Sequence, residues 1–211
     1  GVPVPPNVEY MVTWVNDENV ILDIESGGGV WWRFDMTKTV LPPPIEVSPL
    51  SGTWQIAPEA ASLGVGPAQG DVSWWAIEDQ GVIDRACFFD DDYVFGTDGS
   101  FANVLGDETW IEGWQSGGAP DACGAPVAPH DGMSPGTFTY DADAGTVTID
   151  GFGAYLGIPK AVNEGELPGV STPANVTYIV GWMDGNNTMS LVIESGGGVW
   201  WRFKMVKTEG P

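Results

Sequence analysis

Residues 7–39, NVEYMVTWVNDENVILDIESGGGVWWRFDMTKT, return near the other end of the chain as NVTYIVGWMDGNNTMSLVIESGGGVWWRFKMVKT over residues 175–208. Asn7 aligns with Asn175 and Trp14 with Trp182. One extra turn residue in the second copy then shifts the pairing, so that Glu25 meets Glu194 and Arg33 meets Arg202. A repeat of this length and fidelity means that one structural unit is used twice, and any fold proposed for the chain must accommodate both copies.

Each copy reads as strands joined by tight turns. Tyr178 to Trp182 reads as a first strand, Asp184-Gly185-Asn186-Asn187 supplies a turn, Met189 to Glu194 is a second strand, and three glycines lead into VWWRFKMVK. The copies are therefore expected to be β-meanders. Immediately after the first copy, VLPPPIEVSPLSG holds a three-proline run and reads as a short stiff linker. The implied organisation is a closing meander of a preceding module over 1–39, a Pro-rich linker over 40–50, a complete module over 51–208 and a tail over 209–211. An isolated apolar meander is not stable in water. The first copy is expected either to pack on the complete module or to replace the equivalent segment of a second chain, which gives a homodimer by exchange.

Inside the module, SGTWQI opens a strand and APEAASLGVGPAQGD is a long loop with one helical turn at Pro58 to Leu63. DVSWWAIED resumes a strand, RACFFDDDYVF and SFANVL form a hairpin turning at Asp98-Gly99, and DETWIEGWQ is a further strand. GTFTYDADAGTVTID is another hairpin and GAYLGIP a short strand. With 30 Gly, 17 Pro and only 17% charged residues, the composition supports an all-β fold. About eight antiparallel strands are expected, closed as a barrel or flattened as a sandwich, with an extra N-terminal meander.

The order of these motifs resembles lipocalin-like β modules: Gly52 and Trp54 at the opening, Cys87 followed by Asp91 and an aromatic strand turning at Asp98-Gly99, Gly136 to Phe138, and a closing hairpin ending in Phe203 and Lys207. SWW at 73–75, CFFDDDYVFGTDGSF at 87–101, LGDETWIEGWQ at 105–115 and CGAPVAPHDG at 123–132 resemble modules repeated in extracellular polysaccharide-utilisation proteins of marine Bacteroidetes, beside laminarin-type glycan degradation. The resemblance implies a lipocalin-like strand order and association with a polysaccharide, a β-glucan being favoured.

Charge narrows the partners. Asp and Glu number 29 against 7 Lys and Arg, a net charge of −22 at pH 7, so nucleic acid and anionic lipid surfaces are repelled. No apolar run approaches the ~18 residues needed to span a bilayer as a helix. Cys87 and Cys123 lie in segments rich in Gly and Asp, and a single disulfide between them, with an extracellular or cell-surface location, is the expected reading.

The aromatic residues are the strongest functional signal. A pyranose stacks its apolar face on an indole while carboxylates and amides take its hydroxyls. Trp110 and Trp114 are four apart, so on a regular strand they share one face with Glu112 between them. Trp74, Trp75, Trp110, Trp114, Glu112 and Gln115 are the expected sugar-binding set, with His130 at the rim or in a loop hydrogen bond. Trp32 and Trp201, present in both meanders, are expected to pack. Asp90, Asp92 and Asp98 offer oxygens for Ca²⁺, although no EF-hand spacing is present and no other cofactor is implied. A single histidine disfavours a zinc site or a Ser-His-Asp triad. Glu108 and Glu112 on one regular strand would stand about 13 Å apart, too far for a glycosidase pair. The expected function is non-catalytic carbohydrate binding, with a structural repeat of an adhesin or stalk, or a lipocalin-type apolar ligand pocket, as the competing readings.

Overall fold

A computed structural model describes residues 8–38 and 47–208, which fall into two units, 1–46 and 47–211. The first unit is a three-stranded antiparallel sheet of β1 (Met11–Asn16), β2 (Asn19–Glu25) and β3 (Trp31–Thr37). The second contains β4 (Gly52–Ile56), β5 (Leu63–Gly66), β6 (Trp75–Ala76), α1 (Asp79–Asp84), α2 (Ala86–Phe89), β7 (Asp92–Phe95), β8 (Ser100–Val104), β9 (Thr109–Ile111), β10 (Ala122–Gly124), β11 (Gly136–Asp141), β12 (Thr146–Asp150), β13 (Asn175–Trp182), β14 (Thr188–Gly196) and β15 (Val199–Lys207).

Eight strands close a ring in the order β4-β7-β8-β11-β12-β13-β14-β15, with β15 returning to β4. Every strand pairs with its neighbours antiparallel, so the expected choice between barrel and sandwich resolves as an up-and-down barrel. β5 extends the line of β4 along β15. Met205 and Lys207 pair with Ile56 and Trp54, while Phe203 and Trp200 pair with Leu63 and Gly66. The residues between β4 and β5 form a large bulge at Lys204, whose carbonyl accepts from the Ala57 N–H and whose N–H donates to the Ser62 carbonyl. This stretch contains turns and the strand β5 where a loop with a helical turn was expected.

The two meanders share one register. Met11 faces Asp23 as Ile179 faces Val192, and Leu22 faces Phe34 as Leu191 faces Phe203. Their turns explain the glycines: Gly28 and Gly29, like Gly197 and Gly198, have positive φ at two successive residues, a conformation that side chains with a Cβ resist. Their surroundings differ. Trp201 and Phe203 are 4% and 0% exposed inside the barrel, whereas their counterparts Trp32 and Phe34 are 59% and 46% exposed.

The barrel interior is full. Trp54, Ile56, Tyr93, Phe95, Phe101, Ile149, Tyr178, Leu191, Phe203 and Met205 alternate inward from their strands. Into this space runs the segment after β12. GAYLGIP was expected to be a short strand; it is instead irregular chain buried inside the ring. Its backbone is satisfied by inward-facing side chains: the Tyr93 hydroxyl donates to the Gly157 carbonyl (2.8 Å), the Leu156 N–H donates to the Tyr178 hydroxyl (2.9 Å), and the Asn103 amide donates to the Tyr155 carbonyl (2.9 Å). A Cβ at Gly157 would lie 2.4 Å from the Phe203 ring, so only glycine fits there.

Two further expectations change. DVSWWAIED forms only the two-residue β6 before the chain enters α1, and the first part of RACFFDDDYVF is the helix α2. Cys87, Phe88 and Phe89 are all buried, and an apolar run covered on all sides lacks the alternation that separates strand from helix. DETWIEGWQ is a strand only as far as Ile111; it then turns, with the Gln115 and Ser116 N–H groups donating to the Glu112 carbonyl.

At the start of β7, Asp91 is 1% exposed. Its Oδ2 accepts from the Thr109 hydroxyl at 2.6 Å, while its Oδ1 has no partner among the described residues. Burial, with Asp90 and Asp92 adding to it against the Thr109 hydrogen bond, pushes its pKa up to about 8. A raised carboxyl pKa means that the folded state holds a proton which the unfolded state releases, so stability falls as pH rises from about 4 to about 8 and the loss is complete above that window. Relative to Asp91→Asn, which keeps a neutral group of the same shape, the native melting temperature should drop across this window and level off beyond it; parallel pH profiles would show that Asp91 is not protonated in the fold.

Because β15 closes the ring within the second unit, residues 47–211 alone should give a cooperative thermal transition and the near-UV dichroism of fixed aromatic residues. A truncated chain that kept its far-UV signal but lost the near-UV signal would show that the ring needs residues outside it.

Candidate functional site

On the face shared by β15, β5 and β6, Trp201, Val65 and Trp75 stand in one cross-strand row. Trp75 and Trp201 meet edge-on at 6.4 Å between ring centroids. Around them lies a cavity of about 350 Å³ lined by Val65, Trp75, Arg85, Lys160, Glu166 and Trp201. Its volume lies within the usual small-ligand range of about 300–1,000 Å³. The walls come from the ring strand β15 and its neighbours β5 and β6, from Arg85 between α1 and α2, and from Lys160 and Glu166, which follow the buried segment GAYLGIP.

Beneath the cavity is a layer of charge on aromatic surface. The Arg85 guanidinium lies 4.4 Å from the Trp110 ring centroid and 5.5 Å from that of Trp75, and the Lys160 ammonium lies 5.2 Å from Trp201. Glu112 ties this layer together: one carboxylate oxygen pairs with Lys160 at 2.8 Å and the other accepts from the Trp114 indole at 3.0 Å. Among the described residues no hydrogen bond or ion pair engages the Arg85 guanidinium. Partial burial lowers its pKa, opposed by the fields of Glu112, Asp121 and Asp84. The indole N–H groups of Trp110 and Trp201 are buried without an acceptor among the described residues.

This arrangement redistributes the expected site residues. Trp75, 39% exposed, stays in the site. Trp74 is exposed beside it but does not line the cavity, and its backbone N–H donates to Val65. Trp110, Glu112 and Trp114 do not form an outward platform, because the strand ends at Ile111. Trp110 lies under Arg85, Glu112 is only 5% exposed, and Trp114 packs against the His130 ring. Gln115 uses its side-chain oxygen to accept the Glu112 N–H.

His130 is not at the rim. It is 2% exposed, with Nδ1 donating to the Gly153 carbonyl at 3.0 Å and Nε2 accepting from Asn163 at 2.9 Å, and burial lowers its pKa. The carbonyl can only accept, which assigns the proton to Nδ1.

The three candidate calcium ligands are not brought together. Asp92 starts β7 and accepts from Gln55, while Asp98 lies in the turn at the far end of the same hairpin, bonded to Ser100. No group of three metal-ligating side chains occurs among the described residues.

Arg85, Lys160, Glu166 and Trp201 were missed from sequence. The one available signal was scarcity: Arg85 and Lys160 are two of only seven cations in the chain. A larger open concavity, 680 Å³, lies on the first unit between Glu9, Tyr10, Met11, Asp23, Glu25 and Trp31; it is lined by a single small sheet and a terminal segment, with no cation on its walls.

The disulfide between Cys87 and Cys123 is formed. It binds α2, which begins directly after Arg85, to β10, where Cys123 pairs across the ladder with Trp110. The bond thus holds the guanidinium's helix against the strand of the ring on which it lies. Among the described residues no helix is long and apolar enough to cross a membrane. In comparisons with protein families and with curated proteins, nothing matches this chain.

Closing a loop with a sequence separation of 36 is worth about 3–4 kcal/mol in the chain-entropy account. Replacing both cysteines by alanine should therefore lower the melting temperature by roughly 10 °C. It should also free the Arg85 segment, seen as faster amide exchange across α2 and β10 than across β13 to β15; uniform exchange at all these strands would refute the local role.

Proposed function

We propose that the barrel is a non-catalytic glycan-binding module of a secreted or cell-surface protein, and that the cavity between Trp75 and Trp201 is where a sugar binds. The observation that carries this reading is the combination of an exposed indole wall with hydrogen-bonding groups around one small cavity: Glu166 to accept from hydroxyls, Arg85 and Lys160 to donate to them.

A binding rather than a hydrolytic role is favoured because Glu112 is already held by Lys160 and Trp114. A lipocalin-type apolar pocket is disfavoured because Tyr155, Leu156 and Gly157 occupy the barrel interior. The structural-repeat reading has one observation in its favour, the exposed apolar face of the first unit, and it concerns that unit rather than the cavity.

Calorimetric titration with laminarin oligosaccharides and with a panel of other marine glycans tests the reading. Trp75→Ala should weaken binding of any active glycan about tenfold or more while leaving the melting temperature within a few degrees. Binding insensitive to Trp75→Ala, or absent for every glycan, would count against it.

A further inference from the structure

We propose that the sugar bound in this cavity carries an anionic group, a carboxylate or a sulfate ester, and that Arg85 is the residue that receives it. This rests on the glycan-binding reading and specifies its substrate class.

Among the five cations of the barrel unit, Lys204 pairs with Glu59, Lys160 with Glu112, Arg202 donates to the Ala61 carbonyl and Lys207 to the Pro49 carbonyl. Arg85 alone makes no such bond among the described residues, in a chain with 29 carboxylate side chains. Its guanidinium lines the cavity and lies over the Trp110 and Trp75 rings, and its N–H donors have no protein acceptor among the described residues. A guanidinium held over aromatic rings rather than by ion pairs keeps its donors for a ligand, and the partners that match its fork are carboxylate and sulfate-like oxygens.

The other charges near Arg85 define how the ligand must lie. Glu112 is occupied by Lys160, so that pair adds little net field. Glu166 lines the same cavity and repels an anion, which places the anionic group on the Arg85 side and leaves Glu166 facing hydroxyls. Asp84 and Asp121 act on the guanidinium from a distance that gives no ion pair. Across the whole surface the charge of −22 opposes a long polyanion, but at physiological salt that field is screened beyond about 8 Å. The site therefore suits a ligand with one anionic sugar in the cavity rather than a densely charged strand.

The test uses the full chain in about 0.15 M salt with four probes: a tetrasaccharide bearing a single uronate, its methyl ester, a tetrasaccharide bearing a single sulfate ester, and laminaritetraose. At least one anionic probe should bind tenfold or more tighter than both uncharged probes; the carboxylated and sulfated arms distinguish the two sources of charge. In Arg85→Gln the preference should fall to about one, and Arg85→Lys, which keeps the charge but not the fork, should restore it only in part.

Equal affinity for acid and ester, with sulfated and uncharged probes also alike, would overturn the anionic specificity while leaving glycan binding intact. A preference that survives Arg85→Gln would overturn the role of Arg85. No heat with any probe would overturn both readings. Thermal denaturation of each variant checks that it folds, and the ratio of affinities within one variant is independent of its active fraction.

Discussion

A closed ring of eight strands leaves space that must be filled, and any chain placed inside it loses its water. The segment from Gly153 to Ile158 enters this barrel, and its polar backbone is tolerated because Tyr93, Tyr178 and Asn103 point inward at matching heights to bond it. Other features of the module answer to that requirement. Gly157 must lack a side chain to pass Phe203, His130 is drawn inward to bond Gly153, and Trp114 then has a ring to pack against. The same chain, leaving the interior, presents Lys160 and Glu166 to the cavity.

The cavity is therefore built on the outer consequence of an inner constraint. One wall is barrel strand, one is the exit of the plug, and one is the α1–α2 segment fastened to β10 by the disulfide. No single element contains it. Its polar groups differ in how fully they are satisfied: Glu112 and Lys160 bond each other, while Arg85 is supported by aromatic faces and keeps its donors free. Such an imbalance beside a cavity is where ligand chemistry is expected.

The barrel was legible in sequence wherever one face met water. Alternation in β11 to β15, the Asp98-Gly99 turn and the glycine run before β15 each left a pattern with a mechanical cause. Segments covered on every side left none. Cys87 to Phe89 and Ala154 to Ile158 read equally well as strand, and one is a helix and the other a plug. The site was legible only at Trp75. The assumption of a regular strand from Asp107 to Gln115 put Trp110 and Trp114 on a common outer face; Gly113, whose Cβ would lie 2.9 Å from the Ala119 carbonyl, sits in the turn that breaks it. Arg85 and Lys160 come from distant stretches, and no local pattern joins them.

The shared register of the two meanders has a consequence for how a chain with two such segments tells them apart. Backbone spacing and the inward-facing apolar positions are common to both and carry no distinguishing information. Side chains on the outer face do. At the bulge between β4 and β5, Lys204 meets Glu59; the matching residue of the first meander is Asp35, and a ring closed by that copy would set carboxylate against carboxylate. An exposed pair adds little to stability, yet changing its sign separates two otherwise equivalent partners, so a single surface charge serves as an address that the apolar face does not carry.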